Sequence, residues 1–181
     1  MIIAVYGSAR PAAGEALYED ARRLGALLAQ QGHTVMTGGY CGMMEAVSRG
    51  AAEAGGSTIG VTCAEIERYR PGGANPWVQV NIRTETLNQR LEVLTRQPDA
   101  MIALPGGIGT LAEISLALNL SVISPDRAKP MALIGPAWRE TFGTFTAQND
   151  GLISKDDFEH VRFCQTPEEA AELFNNKIDR N

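Results

Sequence analysis

Apolar and polar positions along this chain alternate between two rhythms. Short apolar runs at Ile2–Tyr6, His33–Thr37, Ser57–Thr62, Asp99–Leu104 and Lys129–Ile134 are too brief for helices and read as buried strands. Between them the spacing turns helical. Leu17, Ala21, Leu24 and Leu28 mark one face of a helix from about Gly14 to Gln31, which Gly32 is placed to cap. A second helix runs from Met43 to about Ala54 and is closed by Gly55-Gly56. Residues Ala64–Asn75 read as an irregular loop, followed by a short strand at Trp77–Ile82. Leu87, Leu91 and Leu94 give Glu85–Arg96 an apolar helical face. Leu111, Ile114, Leu116, Leu118, Leu120 and Val122 carry another helix, with more apolar positions than one core-facing stripe needs. Trp138–Gln148 reads as helical and His160–Cys164 as an edge strand. Pro167 opens a last helix whose Glu168 and Glu169 suit the positive end of its dipole.

Strands alternating with helices imply right-handed crossovers and a parallel sheet. With no repeat, linker or low-complexity tract, residues 1–181 are expected to form a single α/β domain, an open parallel sheet with helices on both faces. Hydrophobic content of 44% and charged content of 20% are ordinary for a globular protein. The net charge of −5 argues against a broad basic surface, so no nucleic-acid partner is expected. Cys41, Cys63 and Cys164 are odd in number and form no metal-type spacing, which suits reduced thiols in a cytoplasmic protein. The first strand starts at Ile2, leaving no room for a signal peptide, and no apolar run approaches a membrane span. No membrane partner is expected.

Three strands run directly into glycine turns, at Gly7-Ser8, Gly38–Gly42 and Gly106–Gly109. In an open parallel sheet such turns share one edge, where ligands bind at the switch in strand order. Gly106, Gly107 and Gly109 let backbone approach an anion, and the helix that follows points its free N–H groups at the same spot. Thr110 adds a hydroxyl, and Glu113 lies one turn on, within reach of a sugar attached to a bound phosphate. Thr110-Leu111-Ala112-Glu113 also fits a capping box, although a cap alone needs neither the three glycines nor Pro105. Gly107-Ile108-Gly109-Thr110-Leu111-Ala112 also fits a dinucleotide fingerprint, but it falls past mid-chain, which favours a mononucleotide phosphate. Arg90 is spaced near the rim of its helix's apolar face, where a solvated head with a packed stem is the plain alternative. His33 and His160 are far apart, so neither a metal site nor a Ser-His-Asp triad is expected, and Cys41 reads as a packing residue.

Pro105-Gly106-Gly107-Ile108-Gly109-Thr110-Leu111-Ala112-Glu113 resembles the P-G-G-x-G-T-x-x-E motif of the LOG (Lonely Guy) family, within a wider Rossmann-like nucleotide-binding group. Gly38-Gly39-Tyr40-Cys41-Gly42-Met43-Met44 is similar to that family's G-G-x-x-G-x-M turn. Arg90 stands where the family carries its motif arginine. The resemblance implies a Rossmann-like fold and a phosphoribohydrolase. Such an enzyme cuts the N-glycosidic bond of an AMP-like nucleoside 5′-monophosphate, often an N6-modified, cytokinin-type one, to free base and ribose 5-phosphate. It implies a homodimer, with Arg90 and Glu113 as catalytic residues; no cofactor is expected. Gly7, Ser8, Gly38, Gly39, Gly42, Met43, Pro105, Gly106, Gly107, Gly109 and Thr110 are then the phosphate- and nucleotide-binding set. The family's arginine usually sits in M-H-x-R-K, whereas Leu87-Asn88-Gln89-Arg90-Leu91 stands here, which bears on base specificity. Relatives include molybdenum-cofactor carriers, so the alternative is a protein that binds without hydrolysis. Members also carry the name lysine decarboxylase. That chemistry needs a Schiff-base lysine with a pyridinium partner, and Lys129, Lys155 and Lys177, the only lysines, stand in no such setting.

Overall fold

The alternation along strand β1 (Ile2–Tyr6) divides the core in two: Ile3 and Val5 face one side, Ala4 and Tyr6 the other, all buried. In this computed structural model, which describes residues 1–175, β2 (Thr34–Thr37) pairs with one edge of β1. Beyond it lie β3 (Thr58–Cys63) and β4 (Val80–Thr84). On the other edge of β1 lies β5 (Ala100–Ala103), then β6 (Met131–Ile134) and β7 (Val161–Cys164). The seven strands are parallel, in the order β4-β3-β2-β1-β5-β6-β7.

Helices α1 (Ala16–Gln30), α2 (Met43–Glu53) and α7 (Pro167–Glu172) cover the face that carries Ile3 and Val5. Helices α4 (Leu87–Arg96), α5 (Ile108–Ile123) and α6 (Pro136–Gln148) cover the face of Ala4 and Tyr6. This is the expected Rossmann-like sheet with helices on both sides. Strand order reverses between β1 and β5, so the turns leaving these two strands frame the crevice where such sheets take ligands.

Three local expectations change. The loop after β3 contains one helical turn, α3 (Ala64–Glu67). The strand expected at Trp77–Ile82 begins only at Val80, because Thr58 and Gln79 occupy the backbone before it. Thr58 Oγ1 donates to the Trp77 carbonyl at 2.7 Å, and the Gln79 side chain accepts from Thr58 N at 3.2 Å. Helix α5 begins at Ile108, three residues before the first leucine of its apolar pattern, with Gly107 as its N-cap. Most of the apolar surplus on α5 packs within the chain: Ile114 is buried and Leu111 and Leu118 lie against the core, while Val122 and Ile123 stay exposed. Lys177 lies outside the described residues.

Candidate active site

The turns that follow β1, β2 and β5 meet around one cavity of about 1280 Å³. Gly7 and Ser8 line it from the β1 turn, and Pro105, Gly106, Gly107, Gly109 and Thr110 from the β5 turn. Arg90 and Glu113 line it as well. Gly38, Gly39, Gly42 and Met43 do not reach its surface; they form the layer beneath.

The start of α5 has the geometry that can receive an anion. Gly107 caps it in extended conformation with no side-chain partner. Among the described residues, the N–H groups of Gly107, Ile108, Gly109 and Thr110 find no acceptor. Four unsatisfied donors at a helix N-terminus carry its positive dipole end. A Cβ added at Gly107 or Gly109 would touch nothing, so the space in front of them is open. The capping-box reading of Thr110 and Glu113 fails here. Because the helix starts at Ile108, Thr110 is its third residue, buried under Gly106, and cannot cap it.

Arg90 is not a rim arginine. It is 6% exposed, and its Nε donates to the Val61 carbonyl at 2.8 Å and its Nη2 to the Gly38 carbonyl at 3.1 Å. Nη1 lies 3.7 Å from Glu113 Oε1, and the guanidinium sits over the Tyr40 ring at 5.5 Å. Two backbone carbonyls, one within β3 and one just past β2, thus hold the cation while one edge faces the carboxylate. A Cβ at Gly38 would overlap Arg90 Nη2 and force the guanidinium to shift. Helix α4 enters this position through a capping box, with Thr86 accepting from Gln89 N and Gln89 returning the bond to the Thr86 backbone.

Glu113 is 7% exposed, and among the described residues its only polar partner is Arg90. Burial pushes its carboxyl up to about 7, with the Arg90 charge pulling the other way. The Tyr6 hydroxyl beneath is raised, first by burial and then by the Glu113 charge, and donates to the Leu94 carbonyl at 2.8 Å. A carboxylate poised near neutrality beside a fixed cation, one turn past an anion-binding helix start, can handle a proton or a developing positive charge next to a bound phosphate.

The underlying layer fixes the β2 turn. Gly42 adopts φ 72°, and a Cβ there would strike the Ser8 carbonyl, to which Met43 N donates at 2.9 Å. Met43 then packs under Gly7. Asn75, buried in the loop before β4, donates its side-chain amide to the Gly39 and Tyr40 carbonyls at 3.1 and 3.0 Å. Tyr40 Oη accepts from Cys63 N at 2.7 Å. Sequence reasoning passed over Tyr40 and Asn75: each is a lone polar residue in a loop, and only the fold brings it to the turn. Cys41, read as a packing residue, is exposed at the cavity, its thiol 3.5 Å from the Ala9 carbonyl. His33 is buried in a structural bond between its Nε2 and the Phe174 carbonyl at 2.8 Å. The Lys129 ammonium donates to the Thr95 and Arg96 carbonyls at the far end of α4.

Fold and cavity together are those of the Rossmann-like class, with a crevice at the switch between β1 and β5. The chain belongs to the SLOG cluster4 family, which it matches over residues 1–160. It is 35% identical over 152 residues to a cytokinin riboside 5′-monophosphate phosphoribohydrolase of Mycobacterium tuberculosis, covering 83% of this chain and 78% of that one. It is 32% identical over 128 residues to a pyrimidine/purine nucleotide 5′-monophosphate nucleosidase of Escherichia coli, covering 66% of this chain but 28% of that longer protein. Among solved structures, the molybdenum cofactor binding protein of Rippkaea orientalis superposes with a TM-score of 0.75 at 28% identity, covering 98% of this chain and 96% of that one. The LOG-type resemblance carried by Pro105–Glu113 is borne out at the level of the family. No helix among the described residues is long and apolar enough to cross a membrane.

Proposed function

We propose that the protein is a phosphoribohydrolase that cleaves the N-glycosidic bond of an AMP-like nucleoside 5′-monophosphate, giving free base and ribose 5-phosphate. The observation that carries this reading is the buried Arg90–Glu113 pair, set one helical turn beyond the unsatisfied N–H groups of α5 and lining the same cavity. The names of the mycobacterial and E. coli relatives support the reaction class.

The 5′-phosphate takes the N–H groups at Gly107–Thr110, with the Thr110 hydroxyl and Ser8 beside it. The ribose then lies over Glu113. The C1′–N bond breaks with its electron pair leaving on the base nitrogen, which takes up a proton from solvent. Positive charge builds on the ring, as in glycoside cleavage, and the Glu113 carboxylate offsets it. Water attacks C1′ and gives its proton to Glu113, whose pKa near neutrality suits that exchange. Arg90 stays protonated throughout and serves as a fixed charge that orients Glu113 and steadies the departing base. Gly38, Gly39, Gly42 and Met43 act indirectly, by holding Arg90 and the β1 turn in place.

An N6-modified, cytokinin-type base is the finer expectation, supported by the name of the mycobacterial relative. A cytoplasmic location fits the free thiols Cys41, Cys63 and Cys164. A homodimer fits the exposed Val122 and Ile123 at the end of α5. The second reading, binding without hydrolysis, is favoured by the close match in length to the Rippkaea orientalis cofactor-binding protein. Incubation with AMP, N6-modified AMP, GMP and CMP separates the two: released base supports hydrolysis, and saturable binding with every nucleotide intact supports carriage.

A further inference from the structure

Two exposed arginines that line the cavity have no side-chain partner among the described residues. Arg10 lies in the turn between β1 and α1, Arg70 in the loop before β4, and both line the cavity. Their backbone N–H groups are bonded, to Ser8 Oγ at 3.2 Å and to the Ile66 carbonyl at 3.0 Å. Neither guanidinium forms a hydrogen bond or ion pair with any described residue. Arg68 shares that lack but does not line the cavity. Carboxylates are not scarce: the chain has 21 Asp and Glu against 16 Lys and Arg. Arg22, Arg23, Arg49 and Arg83 each find one. Glu15 and Glu45 line the same cavity and pair with neither arginine; Glu45 instead accepts from the Tyr18 hydroxyl at 3.3 Å.

Both arginines are carried on fixed backbone. Arg10 sits between the Ser8 acceptor and the buried Pro11, and the loop of Arg70 is pinned at Asn75. Both segments touch the β2 turn, Ala9 against Gly42 and Asn75 against Gly39 and Tyr40. The α5 N-terminus follows β5, and β1 lies between β2 and β5. The turn of Ser8 and Arg10 follows β1, one strand spacing from α5, and the β2 turn, on which the loop of Arg70 is pinned, lies two spacings away, about 10 Å. That span matches the distance from the 5′-phosphate of a nucleotide to the outer edge of its base. At about 1280 Å³ the cavity also exceeds the roughly 300–1,000 Å³ of an ordinary small-molecule site.

We propose that Arg10 and Arg70 form a second anion subsite, and that the preferred ligand is a nucleoside 5′-monophosphate whose base carries an anionic substituent. The proposal rests on the reading that the 5′-phosphate occupies the α5 N-terminus. The probes are AMP, AMP bearing a dicarboxylate on N6, and adenosine 3′,5′-bisphosphate, each titrated calorimetrically into the wild-type protein and the Arg10→Gln/Arg70→Gln double variant. The wild type is expected to bind the dicarboxylate nucleotide about tenfold more tightly than AMP, the scale of two solvent-exposed ion pairs, with the gain shrinking in high salt. The double variant loses that gain and keeps its AMP affinity, which also shows that it is folded. Equal binding of AMP and the dicarboxylate by the wild type overturns the subsite alone. A gain for the bisphosphate without one for the dicarboxylate overturns its placement at the base. No binding of any nucleotide overturns the nucleotide reading itself, and the subsite with it.

Discussion

In the proposed mechanism Glu113 carries more of the chemistry than any other single residue. Its folded carboxyl, at about 7, lies above the ordinary 4.5, so the native state keeps a proton that the unfolded chain releases. Stability from this group is therefore complete below the unfolded value and is lost as pH rises through about 7. Glu113→Gln removes that loss: urea unfolding from mildly acid to mildly basic pH should show a smaller decline for the variant than for the wild type. Because Thr110 is no N-cap, the substitution breaks no capping bond. Turnover should nonetheless fall by about two orders of magnitude, since an amide cannot offset an oxocarbenium charge. In the wild type, the acidic limb of kcat/KM should fall near pH 7, where Glu113 ionises.

Gly38 tests the other half of the pair. Its alanine variant places a methyl group where Arg90 Nη2 sits and pushes the guanidinium off the Gly38 and Val61 carbonyls. Turnover should fall by on the order of a hundredfold through misplacement alone, with a stability cost of about 1–3 kcal/mol in urea unfolding. Unchanged turnover would show that Arg90 need not be held where it lies. The burial of Arg90 was not legible in the sequence. Helical spacing put it at a rim, and only the pairing of β2 beside β3 brings up the Gly38 and Val61 carbonyls that make burial tolerable.

At the scale of elements, the proposed mechanism makes α5 join binding to catalysis, its N-terminus receiving the phosphate and its second turn carrying Glu113. Gly109→Asp separates these roles. Its side chain enters open space, and a carboxylate in the first turn suits the helix dipole, so stability should hold or rise by about 0.3–1 kcal/mol. Nucleotide affinity should drop at least about tenfold, because the variant's own anion takes the place of the phosphate. Calorimetric titration with AMP reads this directly, and undiminished binding would move the phosphate elsewhere. The strands and helices were largely readable from the two rhythms of the chain. The start of α5 was not: its first residues are glycines and Ile108, which carry no periodic signal, and so Thr110 passed for a cap. The edge strand β4 was displaced because the apolar run at Trp77–Val78 looks like sheet, while side-chain bonds from Thr58 and Gln79 keep it out of the ladder.

Across the whole molecule, the strand order brings together turns from residues near positions 7, 40 and 106, which no local pattern could show to be neighbours. What the sequence did carry was the type of each turn, glycine after a buried strand, and the parallel rule that puts such turns on one edge. Assembly is the scale least visible in one chain. The exposed Val122 and Ile123 close α5 on its outer side, and sedimentation at micromolar concentration should give twice the chain mass of 19.4 kDa. Val122→Glu with Ile123→Glu should shift that mass toward the monomer. A monomer in the unmodified protein would set the dimer aside and leave the cavity, which is built within one chain, as described.

The most direct measurement incubates the protein with AMP and N6-modified AMP and separates the products chromatographically. Free base and ribose 5-phosphate should appear in equal amounts, at a rate that the Glu113→Gln variant lowers about a hundredfold while still binding the nucleotide. Nucleotides that bind saturably and are recovered intact, or a Gln variant that turns over as fast as the wild type, would contradict hydrolysis through the Arg90–Glu113 pair.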